Sequence, residues 1–268
     1  MKLKSSYLVR PHEKVRLSHI PADDTGSYKS KAEAAPDLER HRQKLGQMQE
    51  LLTADSRHAV LVVLQGMDTA GKDGTIQHIF TGVNPQACNV TAFKVPTPQE
   101  VRHDFLWRVH LAVPARGTIG IFNRSHYEDV LVPRVHKSIS DKVVKDRFKQ
   151  IVAFEESLAE NNITVLKFFL HITRDEQTRR LEERLADPSK RWKISEADFA
   201  ERPYWPDYQK AYEDAVSHTS RPHAPWFIIP ANHKWYRNVT ISKIMVDAMQ
   251  GLKMKYPKPA FDPKRIKL

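Results

Sequence analysis

Residues 66–72 have the sequence GMDTAGK, which fits the pattern G-x-x-x-x-G-K and decides the fold. The apolar run 59–65 stands directly before this stretch, and a helical pattern begins directly after it. A strand, a glycine-rich turn and a helix in this order predict a phosphate-binding loop, known as the P-loop or Walker A motif. Such a loop points its backbone N–H groups inward, and the helix N-terminus adds positive potential for an anion. We therefore predict that the loop binds phosphate through Gly66, Thr69, Ala70 and Gly71.

The end of the loop carries the predicted catalytic lysine and one departure from the usual pattern. Lys72 places a compact positive charge beside phosphate oxygens that gain negative charge during transfer. A serine or threonine commonly follows this lysine and binds magnesium, but here Asp73 follows, then Gly74 and Thr75. All three are predicted to lie in the phosphate site, and Asp68 is predicted either to bind a metal ion or to orient the acceptor. The alternative is a turn that only caps a helix, with Asp73 as a favourable anion in its first turn.

The rest of the chain alternates short apolar runs with helical patterns, which is typical of βαβ units and a parallel sheet. Capping-box sequences mark two helix starts, at residues 97–100 and 173–176. Helices are predicted at residues 29–55, 141–161 and 174–186. The fold class is therefore α/β with a P-loop kinase-like parallel sheet of about five strands, at residues 59–65, 89–93, 118–123, 163–172 and 226–230.

The length of 268 residues and the apolar content of 40% suit a single domain. We divide it into an N-terminal extension and helix at 1–55, a catalytic core at 56–257 and a basic tail at 258–268. The single cysteine, Cys88, excludes an intramolecular disulfide. The first residues lack the apolar segment of a signal peptide, and no apolar run is long enough to span a membrane. We therefore expect a cytoplasmic protein without membrane contact.

The formal net charge of +11 favours a polyanion as partner. Part of this excess lies in residues 251–268, where six Lys or Arg residues face Asp262 alone, and such segments are usually solvated tails. The chain has no known nucleic-acid motif and no aromatic run for base stacking, so we expect no nucleic-acid partner. It also lacks H-E-x-x-H, paired CxxC and G-x-S-x-G patterns, which argues against a zinc site and a serine hydrolase.

A second polar cluster follows the predicted third strand, where residues 123–129 have the sequence NRSHYED. Ligands of open α/β sheets bind at the carboxyl ends of the strands, so this cluster is expected to face the P-loop. Arg124 is expected to stabilise the transferring phosphoryl group, because its guanidinium is planar and permanently charged. An acid at this strand end would assist magnesium, but Asn123 stands there. Glu128 and Asp129 are the nearest acids that can compensate.

Four stretches resemble the polyphosphate kinase 2 family in sequence, order and spacing. They are GMDTAGKDGT at 66–75, FKVPT at 93–97, IFNRSHYEDVLVPRV at 121–135 and LADPSKRW at 185–192, and the resemblance covers roughly residues 1–257. Four linked motifs are far more specific than one P-loop. Asn123 is similar to the class III subgroup, whereas other members carry Asp at this position. That subgroup is associated with phosphorylation of both nucleoside mono- and diphosphates.

The resemblance implies a three-layer α/β/α sandwich with a small helical lid, which we place at residues 174–205. It also implies a requirement for Mg²⁺, with Mn²⁺ as a substitute, and oligomerisation, usually as a homotetramer. Hard magnesium prefers carboxylate oxygens and water, so Asp68 and Glu128 are the candidate metal ligands. Further phosphate or nucleotide contacts are predicted for Lys94, Arg134, Arg180, Arg184 and Lys193.

Some of these basic residues have a plainer interpretation. Arg180 and Arg184 lie one helical turn apart, a like-charge pair that costs helix stability unless an anion binds. The alternative is surface ion pairing, since Glu176 stands four residues before Arg180. Trp192, in a basic loop, is predicted either to stack on a base or to lie half-buried in a solvated loop.

These observations predict an enzyme that transfers the terminal phosphoryl group of inorganic polyphosphate to nucleoside mono- and diphosphates. AMP and ADP are the expected acceptors, with GMP and GDP as further ones, and the reaction is reversible in principle. The alternative enzyme is an ATP-dependent nucleoside monophosphate kinase, which would share the fold and the P-loop. A nucleic-acid-binding module is the non-enzymatic alternative, but it would leave the P-loop unexplained.

Overall fold

A computed structural model describes residues 5–260 and contains one sheet of five parallel strands. The predicted strands are confirmed, and no boundary differs by more than one residue. The predicted basic tail at 258–268 lies mostly outside the described residues. The strands are β1 Ala59–Gln65, β2 Cys88–Ala92, β3 Ile119–Asn123, β4 Ile163–His171 and β5 Trp226–Pro230, in the order β2-β3-β1-β4-β5.

The helices begin where capping residues predict them. Ser30, Ser140 and Thr173 each accept a hydrogen bond from the backbone N–H three residues later. The predicted capping box at 97–100 also forms, but it opens only the 3₁₀ turn Glu100–Arg102, so the longer helix expected there is wrong. The helices are α1 Lys31–Asp55, α2 Lys72–Ile79, α3 Trp107–Leu111, α4 Glu128–Val135, α5 Asp141–Glu160, α6 Arg174–Ala186, α7 Glu196–Ala200, α8 Trp205–Thr219 and α9 Lys234–Gly251.

The sheet forms the middle of three layers. Every residue of β1 is buried, as expected of a parallel strand covered on both faces. Helices α1, α2 and α9 contact one another on one side, and α4, α5 and α8 form the second group. The apolar stripe of α5 is buried as its periodicity predicts, through Val144, Phe148, Ile151 and Leu158. Within the described part of the chain, no helix combines the length and the apolar character required to cross a membrane.

The N-terminal extension packs onto this core. Val9 N donates to Trp226 O at 2.9 Å, and Ile228 N donates to Tyr7 O at 2.9 Å, so the segment pairs with the edge strand β5. Val9, Val15 and Leu17 are buried. The extension therefore covers a sheet edge that would otherwise present unpaired backbone groups.

The chain order creates a crevice between β1 and β3. From β1 the chain proceeds through α2 to the edge strand β2, whereas from β3 it proceeds through α4 and α5 to β4 on the other side. Adjacent strands whose connections diverge leave a binding crevice at their carboxyl ends. Leu64 pairs with Asn123 in the register, and Arg124 N donates to Leu64 O at 3.1 Å. The P-loop and the polar cluster 123–129 consequently lie side by side.

Candidate active site

The loop after β1 has the backbone conformation of a phosphate cradle. Gly66 and Gly71 have φ values of 156° and 100°, which favour glycine. A Cβ at Gly66 would lie 2.9 Å from Leu170 O, and one at Gly71 would collide with the Arg237 guanidinium. Gly71 is the N-cap of α2, so the positive end of the helix faces the loop. The predicted order of strand, glycine-rich turn and helix is confirmed.

Lys72 folds back across the loop. Its Nζ donates to Gly66 O at 2.8 Å. Burial lowers the pKa of Lys72, and the neighbouring charge of Arg124 acts in the same direction, while Asp68, Glu128 and Asp73 oppose it. The ammonium is thus held beside the cradle with little solvation, where an anionic ligand gains most from its charge.

Arg124 connects the end of β3 with the P-loop. Its φ of 63° lies in the left-handed region, which is uncommon for a residue other than glycine. Its Nη2 donates to Asp68 Oδ1 at 2.9 Å, and the side chain remains 44% exposed. Such backbone strain is concentrated at functional sites. Within the described part of the chain Asp68 is the one side-chain partner of this guanidinium, so its remaining donors can meet a phosphate in the crevice.

The loop that carries Arg124 is anchored by a buried polar network. His126 and Tyr127 point into the core, and the Tyr127 hydroxyl donates to Glu155 Oε1 at 2.9 Å. Glu155 in turn pairs with the fully buried Lys167 at 2.5 Å. Because His126 and Tyr127 face inward, Arg124 and Glu128 on either side of them face the crevice.

Glu128 is the first residue of α4 and lies next to the P-loop cations. With its amide group turned to satisfy both neighbours, Gln65 donates to Glu128 Oε1 at 2.9 Å and accepts from Ser125 N at 3.1 Å. Burial raises the pKa of Glu128, Asp68 adds to this effect, and Arg124 and Lys72 oppose it. The next acid, Asp129, is paired with Arg108 at 3.0 Å.

Two cavities of different character open from the crevice. The aromatic cavity, of about 480 Å³, is lined by apolar and aromatic side chains together with five carboxylates, four Lys or Arg residues and Gln177. Asp68, Glu128 and Arg124 are among its charged residues. Its apolar part comprises Met67, Phe93, Val95, Pro96, Val132, Pro133, Ala197, Tyr208 and Tyr212. The basic cavity, of about 680 Å³, is lined by nine Lys or Arg residues against four carboxylates. Its cations are Lys72, Lys94, Arg124, Arg180, Arg184, Lys190, Lys193, Lys234 and Arg237. The two cavities meet at Asp68, Phe93, Lys94, Arg124 and Asp198.

Each cavity contains a buried polar atom with no protein partner among the described residues. In the basic cavity this atom is Thr69 Oγ1, and in the aromatic cavity it is Gln177 Oε1. The amide nitrogen of Gln177 is engaged, since it donates to Asp68 O at 3.2 Å. Buried polar atoms are rarely left unpaired in folded proteins, so both atoms mark positions where a ligand or water completes the site.

The oxygen donors in the crevice fit a magnesium ion. Asp68 and Glu128 line the same cavity, where the Asp68 carboxylate helps to raise the pKa of Glu128. Among residues 5–260 no group of three or more His, Cys, Asp or Glu side chains is placed to hold a metal. Magnesium in phosphoryl-transfer sites is commonly held by one or two carboxylates plus substrate phosphates and water. Asp68 and Glu128 therefore remain the predicted ligands.

The loop residues predicted to bind phosphate divide into three groups. Thr69, Gly71, Lys72, Asp73 and Gly74 line the basic cavity, whereas Gly66 lines the aromatic one. Ala70 and Thr75 line neither of these two cavities. The Thr75 hydroxyl is buried and donates to Gly71 O at 2.9 Å, so it stabilises the start of α2 instead.

Arg180 supports the P-loop. The ion pair with Glu176 considered from the sequence forms, but it is buried instead of lying at the surface. Arg180 is 3% exposed, and all five of its N–H donors are used within the protein. Nε donates to Glu176 Oε1 at 2.5 Å, and Nη1 donates to the carbonyls of Thr69 and Ala70 at 2.9 and 3.1 Å. Nη2 donates to the carbonyls of Ala231 and Asn232. The residue is neither a surface ion pair nor a free phosphate ligand.

The other predicted basic contacts differ in their placement. Arg184, Lys193 and Lys94 line the basic cavity. Arg134 lies away from both cavities, because its Nη2 pairs with Asp214 at 2.6 Å between α4 and α8. The side chain of Trp192 is 77% exposed, and its indole N–H donates to Ser189 O. The half-buried position considered for it is therefore wrong.

Several residues of the site had no place in the sequence prediction, among them Gln177 and Arg237, which contact the P-loop. Gln177 contacts the P-loop backbone at Asp68, and Arg237 contacts it at Ala70. A signal for Arg237 did exist, because it stands four residues before Ile241 and thus on the apolar face of its helix. A cation on such a face requires a polar partner, which here is the loop.

The family model of polyphosphate kinase 2 matches residues 28–257. The chain belongs to the polyphosphate kinase 2 family. It is 48% identical over 261 residues to an AMP/ADP-polyphosphate phosphotransferase from Meiothermus ruber, covering 97% of this chain and 98% of that protein. It is 42% identical over 270 residues to an ADP-polyphosphate phosphotransferase from Rhodopseudomonas palustris, covering 96% and 93% of the two chains. The crystal structure of polyphosphate kinase 2 from Arthrobacter aurescens TC1 superposes with a TM-score of 0.93 at 40% identity, over 98% and 96% of the two chains.

Proposed function

We propose that this polyphosphate kinase 2 protein transfers the terminal phosphoryl group of polyphosphate to AMP and ADP. The observation that carries the proposal is the meeting of a basic cavity and an aromatic cavity at Asp68 and Arg124. The names of the two relatives, which specify polyphosphate with ADP or with AMP and ADP, support this choice of substrates.

The basic cavity suits the donor. A polyphosphate chain carries charge along its whole length and has no apolar part, and it matches a cavity in which cations outnumber carboxylates. Lys190, Lys193 and Lys234 are exposed around this cavity, whereas Lys72 lies at its inner end, beside the loop. The donor would therefore enter along the exposed lysines and place its terminal phosphate at the P-loop.

The aromatic cavity suits the acceptor. Tyr208, Tyr212 and Phe93 line it with aromatic side chains suited to a nucleoside, and Val132 and Pro133 add apolar surface. The acceptor phosphate would then point toward Arg124, where the two cavities meet. With a nucleoside in this cavity and a phosphate chain in the basic cavity, the acceptor phosphate and the terminal donor phosphate would meet where the cavities join, and neither substrate would occupy the space of the other.

The reaction needs positioning and charge more than proton transfer. An oxygen of the acceptor phosphate, already ionised near neutral pH, attacks the terminal phosphorus of polyphosphate. A new P–O bond forms, the bond to the bridging oxygen breaks, and the donor leaves one phosphate shorter. Lys72 and Arg124 are placed to offset the charge that develops on the transferring group. A magnesium ion held by Asp68 and Glu128 would supply further positive charge between the phosphates.

An ATP-dependent kinase is less well supported. Phe93 and His78 are the aromatic side chains among the residues that line the basic cavity, and Phe93 is buried and shared with the acceptor side. A second nucleoside would therefore find little to stack on there. Family membership also favours polyphosphate as the donor.

Several finer features remain predictions of this proposal. They are the requirement for Mg²⁺ with Mn²⁺ as a substitute, GMP and GDP as further acceptors, a homotetramer, a cytoplasmic location and closure of the lid. Within the predicted lid, α6 is fixed to the P-loop by Arg180 and Gln177. Any movement is therefore expected after α6, from residue 187 onward.

The deciding experiment supplies polyphosphate and magnesium with either AMP or ADP and follows the nucleotides by chromatography. We expect ADP and ATP from AMP, and ATP from ADP, with no nucleoside triphosphate added. Parallel reactions with ATP and AMP, and with ADP but no polyphosphate, test the ATP-dependent alternative. Products in these reactions, with none from AMP and polyphosphate, would reject the proposal.

A further inference from the structure

Arg237 is a buried cation attached to the P-loop. It lies near the start of α9 and is 2% exposed. Its Nη1 donates to Ala70 O at 3.1 Å, while Nε and Nη2 both donate to Asn238 Oδ1 at 3.0 and 2.9 Å. A Cβ at Gly71 would collide with this guanidinium, so the P-loop backbone passes directly over it.

No carboxylate among residues 5–260 forms an ion pair with this side chain, which distinguishes it from Arg180. Burial, with a contribution from the charge of Arg180, lowers the pKa of Arg237 to about 9, so the guanidinium stays charged at neutral pH. Arg180 has Glu176 at 2.5 Å, whereas Arg237 is balanced only by neutral oxygens. A buried charge without a counter-charge is costly.

The surroundings add positive charge instead of removing it. Arg180 donates to the same Ala70 carbonyl. Lys72 directly follows Gly71 and begins α2, at the positive end of that helix. Three of the five N–H donors of Arg237 have a partner within the described residues, whereas all five of Arg180 do. Arg237 also lines the basic cavity.

We propose that Arg237 is a positioning residue for the P-loop and that the bound polyphosphate supplies its missing counter-charge. The inference rests on the proposed function and adds a residue that couples donor binding to the P-loop within the same site. Without ligand, the loop lies over an unbalanced cation. With phosphate in the cradle, only the P-loop backbone separates the anion from the Arg237 guanidinium. Water screens the two charges little at this place, so their attraction is strong. Donor binding and ordering of the loop are thereby coupled.

Two substitutions separate charge from hydrogen bonding. Arg237→Lys keeps the charge without the planar fork, and Arg237→Gln keeps a hydrogen-bond donor without the charge. The Ala70 carbonyl retains Arg180 in both variants. Lys243→Gln is the matched control, because Lys243 lies on the same helix, is 60% exposed, and pairs with Asp247 away from both cavities.

The measurement is binding of tripolyphosphate, without nucleotide, by calorimetry and by its effect on the melting temperature. We expect Arg237→Gln to bind at least about tenfold more weakly than the unmodified protein and to lose most of the ligand-induced rise in melting temperature. Arg237→Lys should stay within about threefold, and Lys243→Gln should be unchanged. The ligand-induced shift is taken relative to each variant's own ligand-free value.

Each other outcome contradicts a definite statement. Binding by Arg237→Gln equal to that of the unmodified protein overturns the inference while the proposed function stands. A loss in Arg237→Lys as large as that in Arg237→Gln also overturns it, because hydrogen bonding alone would then explain the role. If Arg237→Gln does not fold, the Arg237→Lys result decides alone. Absence of any tripolyphosphate effect on the unmodified protein rejects the proposed donor, and the inference with it.

Discussion

The side-chain amide of Asn123 donates a hydrogen bond of 2.6 Å to the carboxylate of Asp73. These are the two positions at which the chain departs from the usual P-loop pattern, in which a hydroxyl follows the lysine and an acid ends the neighbouring strand. The departures are complementary, because an amide in place of the acid gives Asp73 a neutral donor. The pair ties the end of β3 to the first turn of α2 and leaves one negative charge there instead of two.

This pairing predicts how Asn123→Asp behaves. Two carboxylates at hydrogen-bond distance repel, and a divalent cation between them would relieve the repulsion. We expect the variant to melt at a lower temperature than the unmodified protein without magnesium and to recover as magnesium is added, while keeping activity with an altered magnesium requirement. Melting curves across a magnesium titration test this.

Asn123→Ala is the matched control for that experiment. It loses the hydrogen bond, worth about 1 kcal/mol, without adding charge, so magnesium should not restore its melting temperature. Equal magnesium responses in the two variants would show that the Asp73 carboxylate does not sense the charge at residue 123.

Lys72→Ala should lower polyphosphate-dependent activity by about a hundredfold or more, because it removes charge that acts on the transferring group. Its melting temperature should change little, since the half-buried ammonium makes one hydrogen bond within the described residues, to Gly66 O, worth about 1 kcal/mol. Lys149→Ala is the control, because that side chain is 79% exposed and lies away from both cavities. If the Lys72→Ala variant keeps most of its activity, the loop is only a structural turn that caps α2.

The fold could be predicted from the sequence because its main signals are local. The strand β1 is an apolar run that ends at Gln65, and β4 is a mainly apolar run interrupted by Thr164 and Lys167, as expected of strands covered on both faces. The box at residues 97–100 shows the limit of such signals. Its capping bonds form, but a longer helix also needs an apolar face packed on the core, and none of Glu100–Arg102 is buried.

The candidate site was predictable only where backbone geometry defines it. The P-loop and Arg124 follow from strand ends, which the topology brings together. Arg180 was ambiguous, because an Arg four residues after a Glu has the same pattern on a surface and in a core. Its burial depends on how α6 packs against the P-loop and the segment after β5, and that packing is non-local. Arg134 likewise could be assigned to Asp214 only once α4 and α8 were placed together.

Glu128 gives a prediction that depends on pH. Burial raises its pKa, so the folded protein binds this proton more tightly than the unfolded chain does. The stabilising contribution is present while the carboxyl is protonated and is lost as the pH rises through the raised value. Glu128→Gln should therefore raise the melting temperature near neutral pH and leave it nearly unchanged at pH values below the ordinary range of a glutamate.

The same substitution should impair metal use. As a magnesium ligand Glu128 acts in its ionised form, so activity of the unmodified protein should fall as the pH drops through its raised pKa. We expect Glu128→Gln to need at least about tenfold more magnesium for half-maximal rate. A variant that is less stable at neutral pH and has an unchanged magnesium requirement would assign Glu128 to the support of α4 alone.

The last prediction compares Arg180 with Arg184, four residues apart on α6. Arg180→Met would leave the carbonyls of Thr69, Ala231 and Asn232 without their buried donor, which should cost about 3–5 kcal/mol of stability and most of the activity. Glu176 keeps its hydrogen bonds from Arg179. Arg184 is partly exposed and makes one long bond of 3.4 Å to Lys193 O, so Arg184→Met should melt normally. Its charge faces the basic cavity, and its loss should raise the KM for polyphosphate several-fold in low salt and less in high salt.

Chemical denaturation and donor titrations at two salt concentrations measure both effects. Because the two arginines have the same chemistry and differ only in what they contact, an equal loss of stability would contradict the contacts described for Arg180, and an unchanged donor KM in Arg184→Met would remove that residue from the donor path.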